Sequence, residues 1–568
     1  MSTPGANRPR YLVCAAWPYI NYVPHLGTII PLLSADVVAR FLRMRGHEVL
    51  FVSGSDEHGT PIEVEAVRQG IEPRELTDRN HELVVRLFRE WRLSLDSYIR
   101  TEHPTHKEFV RRFYERVYAN GYVFERDEEL PYCERCGRFL PDRFVEGTCP
   151  YCGYEKARGD QCEACGRLMD PARLVDPRCA ICGSRPVIKK TRHWFLDLTR
   201  LQEPVERYVR SNEQFSEPVK AFSLRMLEEG LRPRSITRDT KWGIPAPFPG
   251  AEGKTIYCWF EAVLGYISAT ITYFEARGQR ERWEDFWKDP GTRSVFFIGK
   301  DNIPFHTILL PALLLAADEG YNLPWNVVSN EFLLWEGEKF SKSRRVGIWI
   351  DEALELFPAD YWRFVLVALR PELRDSNFTW EQFVEKVNAE LIGNVGNFIH
   401  RTLVLIKRHF GGRIPEPGRL GEADERPLKV LRELFEEATR ELYAFRLRSA
   451  LRDVVDVARE GNRYLNEREP WRLVREDPEL AGTALYVAAQ LVKALAVMMA
   501  PFTPEAADRL WGMLNLPGSV HEASWEEALR PLEPGHIIGE PKPLFRKVPE
   551  DPGEMRRALE ELRARCSG

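Results

Sequence analysis

Apolar positions follow two rhythms along the chain. Residues 11–16 form an unbroken apolar run, a proline-containing turn follows, residues 25–45 repeat at helix period, and residues 49–53 form a second run. This alternation predicts a parallel α/β unit, in which each strand is covered by the helix that follows it. Over residues 122–192 the rhythm stops, and cysteine, glycine and proline punctuate a stretch with few apolar periods, the mark of an inserted metal-dependent module. Alternation then resumes. Residues 294–299 read as a strand, 308–317 as a buried helix, 327–335 as another strand, and 336–345 as a polar glycine-containing loop. From residue 380 onward the second rhythm takes over, with helix-period segments at 383–406, 428–460 and 481–499. A Gly-Gly-Arg-Ile-Pro stretch at 411–415 separates the first two, and a helical bundle is expected.

The chain of 568 residues has room for about three or four domains with sizeable cores. With 80 Lys+Arg against 85 Asp+Glu the net charge is −5, so any nucleic-acid partner must be held by local patches and not by a basic coat. The polar start leads into a strand-like run and not into the apolar core of a secretory segment. Residues 308–317 and 485–502 are too short or are interrupted by Gln490 and Lys493, whereas a membrane span needs about 20 apolar residues. The expectation is a cytoplasmic protein that does not cross a membrane.

Eight of the eleven cysteines form C-x-x-C pairs: Cys133/Cys136, Cys149/Cys152, Cys162/Cys165 and Cys179/Cys182. In a chain without an export signal, such pairs point to tetrahedral thiolate zinc sites and not to disulfides. Gly137, Gly153, Gly166 and Gly183 follow the pairs and permit the tight turns that aim backbone amides at sulfur. Four thiolates per metal leave no position for water or substrate, so two structural zinc ions are expected.

The candidate chemistry lies elsewhere. Pro24-His25-Leu26-Gly27-Thr28 follows the first strand, and Lys339-Phe340-Ser341-Lys342-Ser343 lies in the downstream loop. A histidine and a glycine at a helix start place backbone amides, the positive helix end and an imidazole beside an anion. The loop offers two lysines and two hydroxyls with Phe340 as its apolar anchor, suited to closing over a triphosphate. Taken singly, the histidine reads as an ordinary cap and the loop as a solvated turn. Their order around an α/β core gives them meaning.

His25-Leu26-Gly27-Thr28 and Lys339-Phe340-Ser341-Lys342-Ser343 resemble the HIGH and KMSKS motifs of class I aminoacyl-tRNA synthetases. Further stretches narrow the resemblance to the methionyl-tRNA synthetases: Ala16-Trp17-Pro18-Tyr19, Ser55-Asp56-Glu57-His58-Gly59-Thr60-Pro61 and Leu140-Pro141-Asp142-Arg143-Phe144. So do Ile298-Gly299-Lys300-Asp301 with Phe305-His306, and Asn462-Arg463-Tyr464 with Pro470-Trp471, so that residues 11–525 are covered. Two positions depart from the pattern. Thr28 stands where the first motif has its second histidine, so a two-imidazole contact to phosphate is not expected; Phe340 replaces methionine, which changes loop packing more than charge.

The resemblance implies a Rossmann-like parallel-sheet catalytic core (1–121 and 193–335) interrupted by a zinc-knuckle insertion (122–192). It further implies a loop and stem-contact region (336–385), an α-helical anticodon-binding bundle (386–535) and a tail packing back on the body (536–568). The implied reaction is in-line attack of the methionine carboxylate on the ATP α-phosphate, with magnesium accompanying ATP, then ester formation with the 3′-terminal adenosine of tRNA(Met). Such chemistry needs positioning and charge neutralisation more than a protein nucleophile.

Carried over residue by residue, the resemblance makes His25 and Lys342 the transition-state residues and Lys339 and Arg238 auxiliary phosphate contacts. Gly27 and Thr28 complete the ATP site with Asp301, which contacts the nucleotide or the amino acid. Asp56 pairs with the substrate ammonium, its competing role being a helix-capping carboxylate. Tyr19, Trp259, Val263, Tyr266 and His306 line the methionine pocket, where sulfur–ring contacts add modestly to binding. Asn397, Arg401 and Trp471 match the anticodon readers, in keeping with stacking of unpaired bases on an indole and amide or guanidinium contacts to their edges. The implied zinc grouping is nested: Cys149, Cys152, Cys162 and Cys165 around one ion, and Cys133, Cys136, Cys179 and Cys182 around the other. Spacing alone also permits sequential pairing.

Nine arginines between residues 440 and 475 are interleaved with acidic residues and read as a salt-bridged helix face with a few arginines reaching phosphate. A monomer is expected. A non-catalytic zinc-knuckle RNA-binding protein would leave His25 and Lys342 idle, and a small-molecule adenylyltransferase would have no use for the helical part. Residues 121–191 are too few and too cysteine-rich for the editing insertion of the isoleucine, valine and leucine enzymes.

Overall fold

The computed structural model describes residues 8–141, 144–159, 162, 164–165, 171–341 and 345–566. The chain begins with parallel strands β1 (Arg10–Ala15), β2 (Val49–Ser55) and β3 (Ser97–Arg100), side by side in that order. It leaves the sheet along β4 (Val123–Cys133), returns along the antiparallel β5 (Val187–Leu196), and adds β6 (Thr292–Gly299) and β7 (Asn326–Asn330) on the other side of β1. The finished order, β7-β6-β1-β2-β3, reverses at β1. In open α/β sheets, the carboxyl ends of the strands at such a reversal open a crevice for ligands. Leu12, Val13 and Cys14 of β1 and Val295, Phe296 and Phe297 of β6 are fully buried, as their unbroken apolar runs require.

Helix α1 (Leu26–Met44) follows β1 and is buried along most of its length. Helices α2 (Cys258–Ala262) and α3 (Gly265–Glu275) come between β5 and β6, and α3 packs on β2 and β3. The strand expected over residues 327–335 divides. β7 ends at Asn330, where Glu331 N donates to Pro371 O (2.8 Å) and Phe332 N to Asp375 Oδ1 (2.9 Å). The redirected Leu333–Trp335 pairs in parallel with Ser376–Phe378 as a separate small sheet.

Beyond this point the chain is helical: α4 (Ala359–Ala368), α5 (Asn397–His409), α6 (Glu422–Tyr443), α7 (Leu447–Arg468) and α8 (Pro478–Met499). The helical segment expected over 428–460 is two helices. The break has no glycine or proline; Phe445 takes φ 59° there and drives its ring against Phe297 of β6 (5.9 Å) and Trp325 (6.4 Å). The bundle is thereby docked to the sheet. Among the described residues α8 is the one helix long and apolar enough to cross a membrane, and 89 % of that window is buried inside the protein. Gln490 and Lys493, the polar interruptions of this apolar stretch, are buried and satisfied by the Leu532 backbone and by Glu527 with the Arg530 carbonyl.

A buried arginine ties the parts together. Arg363 of α4 donates to Asp36 of α1 (2.6 Å) and to the carbonyls of Trp91 (3.1 Å), Pro501 (2.9 Å) and Phe502 (3.0 Å). The last helix, α9 (Pro552–Cys566), lies back on the core: Arg556 bonds Glu336 and Glu381, and Arg563 bonds Glu352 and the Gly347 carbonyl.

Candidate active site

The chain leaving β1 builds one side of the crevice. The Trp17 ring fills the space between Gly54 of β2 and Gly265 of α3, where a Cβ at either position would stand 2.5 Å from the indole. Backbone bonds from Asp56 N to Pro18 O (2.9 Å) and from Ile20 N to Asp56 O (3.2 Å) then set Asp56 beside Tyr19. The Asp56 carboxylate is buried, and Oδ1 accepts from His58 N at 3.3 Å. Among the described residues it has no ion-pair partner. Burial, followed by the nearby Glu261, pushes its pKa well above the usual carboxylate range. The competing capping role has little support, because the next helix, Thr60–Gln69, has Gly59 at its N-cap and no side-chain cap bond.

Aromatic residues face this carboxylate's strand end. The Trp259 ring meets Tyr19 edge-on at 5.9 Å and stacks on Phe305 at 4.3 Å, while the Tyr19 hydroxyl lies 3.0 Å from Cys258 Sγ. Val263 and Tyr266 are buried beyond α2, and Tyr266 bonds His306 Nε2 at 2.9 Å. His306 sits in the widened π-helical turn Phe305–Leu309, with Nδ1 2.9 Å from the Asn302 carbonyl. The carbonyl can only accept, so Nδ1 carries the proton and Nε2 receives the tyrosine hydroxyl. Burial pushes the His306 pKa down to about 4, so the ring is neutral.

His25 is the N-cap of α1. Its Nδ1 accepts from Gly27 N (3.1 Å) and Thr28 N (3.2 Å), leaving Nε2 to donate to Thr28 Oγ1 at 3.2 Å. The Phe340 ring lies flat on the imidazole at 4.4 Å with 9° between the planes. Gly347, at φ +121°, makes room for Phe340, since a Cβ there would stand 2.2 Å from the ring. The loop carrying Lys339 is thus laid over the start of α1, with the Lys339 ammonium 5.9 Å from the Phe332 ring centre. Lys342 lies outside the described residues. Asp301 is exposed in the turn Lys300–Asn302 at the end of β6. Arg238 lies 3.7 Å over the Tyr257 ring, at the entrance to α2, and donates to the Thr237 carbonyl at 2.9 Å.

The cysteines gather in two nested groups, Cys133, Cys136, Cys179 and Cys182, and Cys149, Cys152, Cys162 and Cys165. Sulfur–sulfur distances are 3.5 Å (Cys133–Cys182), 3.8 Å (Cys136–Cys179), 3.6 Å (Cys152–Cys162) and 4.0 Å (Cys149–Cys165). These are too long for disulfides and match the edge of about 3.8 Å expected for four thiolates about 2.3 Å from a tetrahedral zinc. Gly137, Gly153 and Gly183 all have positive φ, as the knuckle turns require; Gly166 lies outside the described residues.

On the bundle, the Arg401 guanidinium lies 5.0 Å over the Trp471 ring and donates to Asn466 Oδ1 at 3.3 Å. Trp471 remains 39 % exposed, and Asn397 is exposed one turn before Arg401 on α5. Much of the arginine run is paired with acids: Arg446 with Glu441, Arg459 with Asp456, Arg463 with Glu467, Arg468 with Asp424 and Arg472 with Glu469.

Sequence reasoning assigned no role to His58, Phe305 or Cys258. Trp259 next to Cys258 and the Phe305-His306 pair were visible signals for the latter two. None existed for the partners of His58, Glu102 and Glu261, which are 44 and 203 residues away.

The family described as tRNA synthetases class I (M) matches residues 11–403, and the anticodon binding domain of methionyl tRNA ligase matches residues 414–564. The chain is 56 % identical to the methionine–tRNA ligase of Pyrobaculum calidifontis over 556 residues, 98 % of this chain and 97 % of that one. It is also 56 % identical to that of Aeropyrum pernix over 545 residues, 95 % of each chain. Its fold is similar to that of the Mycobacterium tuberculosis methionyl-tRNA synthetase solved with bound methionyl-adenylate, with a TM-score of 0.78 at 23 % identity over 95 % of this chain and all of that one. With the family model spanning residues 11–403 and relatives 56 % identical along nearly their whole length, the chain belongs to the methionyl-tRNA synthetase family.

Proposed function

We propose that the chain activates methionine with ATP to methionyl-adenylate and transfers the methionyl group to the 3′-terminal adenosine of tRNA(Met). The observation that carries this reading is the contact between His25 and Phe340 at the sheet reversal, which brings the phosphate-facing helix start and the lysine-bearing loop to one place. Asp56 takes the methionine ammonium, because a buried carboxylate with no ion-pair partner among the described residues is stabilised by a cation that arrives with the substrate. Tyr19, Trp259, Val263, Tyr266 and His306 enclose the thioether side chain. A neutral His306 adds no charge to that wall.

With the amino acid so held, its carboxylate faces the ATP α-phosphate in line with the departing pyrophosphate. His25, the amides of Gly27 and Thr28, and the positive end of α1 stabilise the charge that develops, while Lys339 and Lys342 neutralise the leaving pyrophosphate. Arg238 is an auxiliary phosphate contact and Asp301 an ATP contact. Magnesium bound with ATP supplies further charge neutralisation. The two thiolate groups hold zinc as structural ions, since four cysteines apiece leave no open position. Asn397, Arg401 and Trp471 read the anticodon. We assign the working form to a cytoplasmic monomer.

The test is amino-acid-dependent exchange of pyrophosphate into ATP, run across the twenty amino acids. Exchange with methionine is the expected result, accompanied by weaker exchange with homocysteine because one methyl group is worth only about 1–3 kcal/mol of discrimination. Exchange with leucine and none with methionine overturns the substrate assignment.

A further inference from the structure

Behind the amino-acid pocket lies a buried ionic group that the roles above leave unused. His58 is 1 % exposed and has a carboxylate on each ring nitrogen: Glu261 Oε1 is 2.5 Å from Nδ1, and Glu102 Oε1 is 2.8 Å from Nε2. Two ionised acceptors on one imidazole require both nitrogens to donate, so the geometry describes an imidazolium. Trp242 closes the group from solvent, meeting His58 edge-on at 5.5 Å and donating to the Glu57 carbonyl at 2.6 Å.

The two carboxylates differ in what else holds them. Glu102 also accepts from Lys107 and Arg74, each at 2.5 Å. Glu261 has His58 as its one ion-pair partner among the described residues, and its Oε2 is buried without a hydrogen bond. Loss of His58 therefore leaves Glu102 compensated and Glu261 as a buried carboxyl with no ion-pair partner among the described residues.

Position in the fold gives this asymmetry a consequence. His58 follows β2 and binds Asp56 Oδ1 through its backbone N–H, whereas Glu261 lies on α2 between Trp259 and Val263. Glu102 follows β3 and belongs neither to α2 nor to the segment that carries Asp56. We infer that His58 is a positioning residue for methionine, clamping α2 to the end of β2 and so fixing the Trp259–Val263 wall against the Asp56 carboxylate. The inference rests on the reading of Asp56 as the ammonium partner.

Four variants separate a positioning role from a merely structural one: His58→Gln, Glu261→Gln, Glu102→Gln and Asp56→Asn, each assayed by pyrophosphate exchange with methionine and ATP varied in turn, alongside thermal unfolding. His58→Gln should raise the methionine KM by about tenfold or more, with ATP KM and kcat changed far less, because loosening a wall that holds methionine equally in ground and transition states removes uniform binding. Glu261→Gln should raise the methionine KM less, and Glu102→Gln least. The Glu261 and Glu102 variants keep the contest open if His58→Gln does not fold: they remove the same charge from the same ring, and only one of them sits on the pocket wall. An equal effect of Glu261→Gln and Glu102→Gln, or a folded His58→Gln enzyme with unchanged methionine KM, overturns the inference. If Asp56→Asn leaves the methionine KM unchanged, it is the reading of Asp56 that fails.

Discussion

The Phe340 ring covers the face of His25, and an ATP bound as proposed above would have to open that stack. A stacked aromatic pair is worth about 0.5–1.5 kcal/mol beyond its buried area. Replacing Phe340 with methionine, the residue usual in this motif, should therefore lower the KM for ATP by roughly two- to tenfold in the exchange assay, leaving the methionine KM unchanged. A raised ATP KM would show that the ring holds the closed loop and does not obstruct it. At His58 the prediction concerns pH. Burial alone would lower its pKa, but Glu261 and Glu102 outweigh that and hold it up to about 10. Asp56 and His106 also face this ring, with Lys107 and Arg74 beyond Glu102. Against an ordinary value of about 6.5 in the unfolded chain, the clamp contributes fully below that pH and is lost as pH rises through about 10. The difference in unfolding temperature between the parent and His58→Gln should shrink over that window; a constant difference would deny the ion pair. His25 and Asp56 could be singled out as candidates because they stand in local motifs. The His58 group was not, since its partners meet it only after β2, β3 and α2 are assembled.

At the scale of elements, the cysteine spacing pointed to two candidate metal sites but left their pairing open. The ribbon of β4 and β5 decides it, because the register Tyr132↔Val187 brings the ends of the two strands together and folds Cys133 and Cys136 onto Cys179 and Cys182. Metal analysis should find two zinc ions per chain in the parent and one in the double variant Cys149→Ser, Cys152→Ser. Loss of both ions would mean that the knuckles do not fold independently. The break between α6 and α7 was illegible for the opposite reason: it is imposed by docking Phe445 on the sheet and has no local glycine or proline. On the bundle surface, the Arg401–Trp471 pair predicts that Trp471→Ala impairs charging of tRNA(Met) while pyrophosphate exchange is spared, since base stacking is worth about 1–3 kcal/mol per base. Equal loss of both activities would remove Trp471 from the anticodon surface.

Across the whole molecule the parallel core, the cysteine insert and the helical end were readable from hydrophobic rhythm, because each has its own period or composition. What joins them was not. Arg363 binds α1, the end of the helix before β3 and the turn after α8 through single atoms supplied by distant segments, and α9 reaches back to both ends of the loop that carries Lys339. Net charge likewise says little at this scale: at −5 the chain has no basic coat, and most arginines of the 440–475 run are already engaged with acids. The central claim is that activation takes place under the loop that covers His25. Its most direct test is the single-turnover rate of methionyl-adenylate formation in Lys342→Ala, measured with methionine affinity. The rate should fall by about two to three orders of magnitude while methionine affinity stays near that of the parent. A large loss of methionine affinity with a normal rate would contradict the account.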